Sequence, residues 1–219
     1  MLPLTRCVQR ACLIGLATPL LVLGAQTTTT LDFDAMSLAP GTAIDPTGYL
    51  AGFGVFLSAV TAGDAADIYA NGGGALPIAH SGSNYFLEST GNHPGSMTFE
   101  FAGTLSAVSF FRTALSYDSK PEWTAEALDG LGNVVATVGE PLTATGAVIS
   151  AQLFTLTGSN IRALRFNQDN HAFTNLGGIP IDDLSFTTVS SAPEPATIAL
   201  VGTGLLIVGA AVRRRTPKA

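Results

Sequence analysis

The sequence predicts an all-β protein: a jelly-roll-like antiparallel β-sandwich, flanked by an N-terminal signal helix and a C-terminal transmembrane helix. Three observations carry this expectation. Between its two ends the chain is built of short segments in which apolar and polar residues alternate, the period of a half-buried strand. Gly, Pro, Asn and Asp separate these segments and supply the turns. No stretch outside the termini repeats its apolar residues at helical spacing.

The first element is "MLPLTRCVQRACLIGLATPLLVLGA", with Arg6 and Arg10 in a short basic head ahead of an apolar run from Ala11 to Leu23. This is the pattern of a secretory signal peptide over residues 1–25, read by the general secretion machinery and cut by signal peptidase after the small residues Gly24 and Ala25. Both cysteines, Cys7 and Cys12, lie inside it, so the mature chain has none. Without disulfides the folded part depends on its core.

Residues 26–190 read as the sandwich. In "SMTFEF", Met97, Phe99 and Phe101 share one face while Thr98 and Glu100 share the other. "TLDFD", "YLAGFGVFL", "NYFLES", "LSAVSFF", "EWTAEALD", "NVVATV", "VISAQLFTL", "IRALRF" and "IDDLSF" are further strand candidates. "LDGLGNVV" reads as a hairpin turned by Asp129, Gly130, Gly132 and Asn133. Thr27 to Thr30 form one threonine tract, with no repeated Thr-x-Thr ladder elsewhere. Phe33, Phe53, Phe56, Phe99, Phe101, Phe110, Phe154, Phe166 and Phe186 are the expected inward-facing rings, each contributing about 1.5–3 kcal/mol when buried. Trp123 shares the more apolar face of its strand with Ala125 and Ala127 and belongs with the core. Tyr117 and Tyr85, beside Asp118 and Asn84, are expected to be exposed, where a flat ring can stack on a sugar.

The whole chain has 16 acidic and 10 basic side chains. Setting aside Arg6, Arg10, Glu194, Arg213, Arg214, Arg215 and Lys218 leaves fifteen acids against four bases, a net charge of −11. Such a surface repels phosphate backbones and excludes nucleic acid as a partner, while it suits divalent cations. Catalytic patterns are absent: His80, His93 and His171 occur singly, with no His-Glu-x-x-His, Gly-x-Ser-x-Gly or Walker loop. No enzyme activity is expected.

The last element runs from Ala196 to Val212 without a charge and is stopped by Arg213, Arg214 and Arg215. As a helix it rises about 1.5 Å per residue, just enough to cross the hydrocarbon core, with the arginines cytoplasmic and the sandwich outside. Pro193-Glu194-Pro195, this apolar helix and the arginine cluster together resemble the PEP-CTERM sorting signal, placed here in residues 191–219. The resemblance implies export by a bacterium that makes exopolysaccharide and recognition of Pro193, Glu194 and Pro195 by a membrane-embedded exosortase. It also implies an inner-membrane intermediate that loses the helix on its way to the cell surface or extracellular matrix.

One acidic constellation joins the ends of the sandwich. Asp32 and Asp34 lie near the mature N-terminus, and Asp182 and Asp183 open the last strand, where the period of two turns Asp182 toward the core edge. A carboxylate there needs a partner. A structural calcium ion held by Asp182 with Asp34 or Asp32 supplies one; hydrogen bonds to Asp182 and Asp183 from the preceding loop supply another. "IDDLSF" is similar to the final strand of calcium-bearing carbohydrate-binding jelly rolls, a likeness that implies Ca2+ and, by analogy, a sugar-binding fold. The function expected is thus a non-catalytic exported surface or matrix protein that associates with exopolysaccharide. A lectin-like module with one glycan site, at Tyr117 and Tyr85, is the alternative, and an extracellular polysaccharide hydrolase a third.

Overall fold

The computed structural model describes residues 26–58, 60, 65–71, 78–89, 95–116, 119–120, 122–141, 143–144, 148–169, 179–189 and 203–204. The chain divides into two compact units: Ala25–Ser190, and Met1–Gly24 with Ser191–Ala219. The expected signal helix, and the expected transmembrane helix apart from Thr203 and Gly204, lie outside the described residues. Among the described residues no helix is long and apolar enough to cross a membrane.

In chain order the elements are β1 (Gln26–Leu31), β2 (Ala43–Ile44), α1 (Thr47–Ala51), β3 (Val55–Ser58), β4 (Ala65–Ala70), β5 (Asn84–Ser89) and β6 (Gly95–Arg112). There follow β7 (Leu115–Ser116), β8 (Ser119–Lys120), β9 (Glu122–Asp129), β10 (Val134–Glu140), β11 (Thr143–Ala144), β12 (Val148–Ile149), β13 (Gln152–Asp169) and β14 (Ile181–Val189). Every described strand pairing is antiparallel.

β6 and β13 are each 18 residues long and pair along their length, which joins "SMTFEF" to "LSAVSFF" and "VISAQLFTL" to "IRALRF". The ladder shifts register twice: between the Thr157–Ala107 and Ile161–Leu105 pairs β13 advances four residues while β6 advances two, and between Ile161–Leu105 and Ala163–Glu100 β6 advances five while β13 advances two. Extra residues on one strand bend it. On one side of the bend the order is β10-β9-β13-β6-β3; on the other, β13-β6-β14, with β1 and β5 beside β14 and then β4 and β2.

The two sheets face each other across a row of rings. Phe33 packs on Phe86 at 5.8 Å between centroids, Phe86 on Phe99 at 5.0 Å, Phe99 on Phe166 at 6.1 Å and Phe166 on Phe110 at 4.9 Å. Trp123 closes the row on Phe154 at 4.9 Å. Aromatic pairs of this kind add about 0.5–1.5 kcal/mol each beyond the area they bury. Trp123, 1% exposed, is in the core as its alanine-lined face predicts.

Two of the expected core rings are outside it: Phe53 is 42% exposed and Phe56 50%. "YLAGFGVFL" does not run as one strand, because α1 ends at Gly52 and Gly54 takes φ 70°, a conformation that favours glycine. Phe53 is left in the turn against Tyr49, 5.2 Å away. In the short strand that follows, Val55 and Leu57 take the inner side, so Phe56 points out. Phe86, absent from the expected core, is fully buried instead.

The threonine tract is the edge strand β1, pairing with β14 as the first and last strands of a sandwich often do. Alternate hydroxyls bond across it, Thr28 to Thr187 at 2.9 Å and Thr30 to Ser185 at 2.6 Å. The register extends the second row through Ser109 to Thr155. A hydroxyl ladder invisible in the sequence is thus assembled from four separate strands.

At the end of the ring row, Arg112 is buried and donates from Nε to Glu140 Oε2 at 2.7 Å and from Nη1 to the Thr113 carbonyl at 2.9 Å. Trp123 Nε1 donates to the same Glu140 oxygen at 2.9 Å. Removing the carboxylate strands a buried guanidinium. Glu140→Ala is expected to lower the unfolding free energy by about 3–5 kcal/mol, measured by urea denaturation; an unchanged midpoint would contradict it.

Candidate functional site

The outer face of the β10-β9-β13-β6-β3 sheet is set by the same registers. Across it, Phe56, Glu100, Ala163, Leu128 and Val134 lie in one row, and Ser58, Thr98, Arg165, Glu126 and Thr137 in the next. Ala163 has only a methyl between two larger neighbours, which leaves a depression. The β9–β10 turn at Gly130 and Gly132 and the side chain of Arg162 wall it at one end. The result is a cleft of about 350 Å3.

Three charged groups line the cleft, and they differ in what they have left to offer. Asp129 is spent in its own turn: Oδ1 accepts from the amides of Leu131 at 2.8 Å and Asn133 at 2.9 Å, and Oδ2 from Asn133 Nδ2 at 3.0 Å. These bonds, led by the Asn133 side chain, hold its carboxyl below the ordinary range. Glu100 accepts from Ser58 Oγ at 2.5 Å through Oε1. Arg162 is exposed and donates from Nη1 to the Ala102 carbonyl at 3.2 Å, one of five N–H groups. Further along the face, Arg165 donates from Nε and Nη2 to Glu126 Oε2 at 2.9 and 2.7 Å, and Asn167 Nδ2 reaches the same oxygen at 3.0 Å. That pair neutralises itself. Glu100 and Arg162 are the groups with acceptor and donor capacity turned to the cleft. The sequence placed Glu100 on the polar face of its strand; nothing in it brought Arg162 alongside.

A second cluster lies where β1 ends and β14 begins. Asp182 is 0% exposed and accepts from the Ser81 amide at 2.9 Å and the Asp183 amide at 2.7 Å. Asp183 accepts from Ser81 Oγ at 2.8 Å and pairs with His80 Nδ1 at 2.6 Å, while the His80 ring stacks on Phe111. Asp34 Oδ1 takes the amides of Ser83 at 2.8 Å and Asn84 at 2.9 Å. Its carboxylate occupies the space beside Gly82, where a Cβ would fall 1.6 Å from Asp34 Oδ2. Asp32 Oδ1 receives the Asp34 amide at 3.1 Å.

Among the described residues the donors to Asp182 and Asp183 come from the segment before β5, besides the Asp183 amide itself; residues 170–178 of the loop before β14 lie outside the described residues. Among the described residues no group of three or more His, Cys, Asp or Glu side chains is arranged to hold a metal ion. Asp182, Asp34 and Asp32 serve there as acceptors for backbone amides. Tyr49 sits among them, its hydroxyl pKa raised by burial first and by Asp32, Asp34 and Asp182 next.

Of the two tyrosines expected to be exposed, Tyr117 lies outside the described residues, as do Pro193, Glu194, Pro195 and Arg213 to Arg215. Tyr85 is 6% exposed, which corrects its expected position. Its strand β5 is covered on both faces: Phe86 enters the main core, while Tyr85 and Leu87 join Ala79 and stacked Tyr69 in a second cluster. A ring enclosed in this way offers no stacking platform.

No curated protein matches the chain. Among solved structures, an arabinose-bound α-L-arabinofuranosidase is 14% identical over 73% of this chain and 26% of its own, at a TM-score of 0.44. The chain thus spans about a quarter of that enzyme. The K2 cleaved adhesin domain of Lys-gingipain is 16% identical over 73% of this chain and 97% of its own, at 0.42. The family 11 carbohydrate-binding module from Clostridium thermocellum, solved with a mixed-linked tetrasaccharide, is 11% identical over 68% and 96%, at 0.35.

Burial pushes the Asp182 carboxyl up to about 7 from 3.8; repulsion from Asp183 adds to this, and the amides of Ser81, Asp183 and His80 oppose it. The folded state then holds the proton more tightly than the unfolded chain, so this group's contribution to stability falls as pH rises from about 4 to about 7. Asp182→Asn is expected to gain on the parent protein across that window. Denaturation at several pH values checks it, and a difference that does not vary with pH would show that Asp182 stays ionised.

Residues 191–215, which contain Pro193-Glu194-Pro195 and Arg213 to Arg215, match the PEP-CTERM protein-sorting motif, and the chain thereby carries the signal of an exported protein processed by exosortase.

Proposed function

We propose that the protein is a non-catalytic component of the cell surface or extracellular matrix whose sandwich associates with exopolysaccharide. The cleft carries this reading. A sugar residue presents hydroxyls that both donate and accept, and C–H faces that prefer apolar contact. The cleft opposes to these the Arg162 donors, the Glu100 acceptor, and an apolar floor at Ala163 and Leu128. Its volume falls in the range of small-molecule sites, about 300–1,000 Å3.

Binding without hydrolysis is favoured by the placement of the carboxyls. A glycosidase needs one acid held protonated near neutrality beside a second carboxylate at the scissile bond. Among the described residues Asp182 is the carboxyl pushed to about 7, and it is sealed from solvent. A lectin-like module with a single glycan site is the second reading, favoured by the convergence of residues from β6, β9 and β13 on one cleft; its contacts would be Arg162 and Glu100.

Exopolysaccharide from the producing cells is expected to carry the purified protein down on sedimentation. Protein left in the supernatant at every polysaccharide concentration would overturn the reading. For sorting, Glu194→Ala is expected to leave the C-terminal helix on the mature protein, seen by intact mass; normal tail removal would count against recognition of the motif by exosortase.

A further inference from the structure

We infer that the cleft selects uncharged polysaccharide segments, gripping a pair of adjacent sugar hydroxyls between Arg162 and Glu100, and turns away uronate-bearing chains. This rests on the polysaccharide reading above and adds the site and the ligand class.

The charges around the cleft decide the class. Among the described residues that line it Arg162 is the only cation, and it stands with two carboxylates, Glu100 and Asp129. Arg165, nearby on the same face, is already paired with Glu126. A carboxylate entering the cleft meets one guanidinium and two like charges, with the excess acid of the whole domain behind them. A neutral diol meets no such field. It can accept from the unspent Arg162 N–H groups and donate to Glu100, the complementary pair that adjacent hydroxyls require.

The shape of the cleft agrees with its chemistry. Ser58 holds Glu100 through one oxygen, and Ala102 holds Arg162 through one nitrogen. Both side chains are thus oriented before a ligand arrives, with valences left over. Ala163 between Glu100 and Leu128 leaves the floor open, so a larger side chain there fills the site without altering its charge.

The test uses exopolysaccharide from the producing cells, split by anion exchange into neutral and acidic fractions, with binding followed by affinity electrophoresis. The neutral fraction is expected to retard the protein, and added salt to leave that retardation unchanged. Arg162→Ala, Glu100→Gln and Ala163→Leu are each expected to weaken it at least tenfold, with melting temperatures near the parent's. Retardation by the acidic fraction alone, or neutral binding untouched by all three substitutions, would overturn this site and leave the broader reading standing. Failure of both fractions to bind would overturn the two together.

Discussion

The antiparallel ladder between β6 and β13 is the constraint from which the rest of the domain follows. Each strand serves both sheets, and the jump between the Ile161–Leu105 and Ala163–Glu100 pairs is where one sheet becomes the other. Residues 101–104 of β6 absorb the difference. Every other strand of the main sheet takes its position from this ribbon, through β9 and β3 on one side of the bend and β14 on the other. Hydrogen-bond register, not turn chemistry, sets the architecture.

A ribbon folded onto itself must fill the space between its halves, and residues 26–190, which contain no cysteine, fill it with rings. The row from Phe33 to Phe154 draws on β5, β6, β9 and β13 and on the turn after β1. Trp123 brings a polar N–H into that row, and burial of such a group is costly without an acceptor. Glu140 supplies it, and Arg112 balances the charge of Glu140. The polar network is thus a consequence of using tryptophan at the end of an apolar spine.

The ribbon also determines what the outer surfaces can be. One face carries uncharged hydroxyls contributed by β1, β14, β6 and β13, and its alternate threonines bond in pairs. The other face carries acids and arginines, and an alanine in its central strand leaves the cleft open. Asp182 illustrates the inner limit of this division. Its carboxyl is drawn into the core edge by strand alternation and is accommodated by amides and by a raised pKa.

What the sequence by itself determined is local. The alternation in "SMTFEF" and "EWTAEALD" identified both strands and the inward side of each, because a pleated backbone sends neighbouring side chains to opposite faces whatever the partner strand is. The Asp129–Asn133 turn was legible for the same reason, and so was the sorting motif at 191–215, whose residues act in consecutive order. The tertiary structure decided the remainder. Phe53 and Phe56 lost their core places to a glycine turn that ended one segment and began another. Tyr85 was buried by a second cluster that alternation does not encode. Asp182 found a donor at Ser81, and Arg162 came to line the same cleft as Glu100, through pairings between residues far apart in the chain. Periodicity reports which side of a strand a residue occupies; only the register and the stacking of sheets decide what stands opposite it.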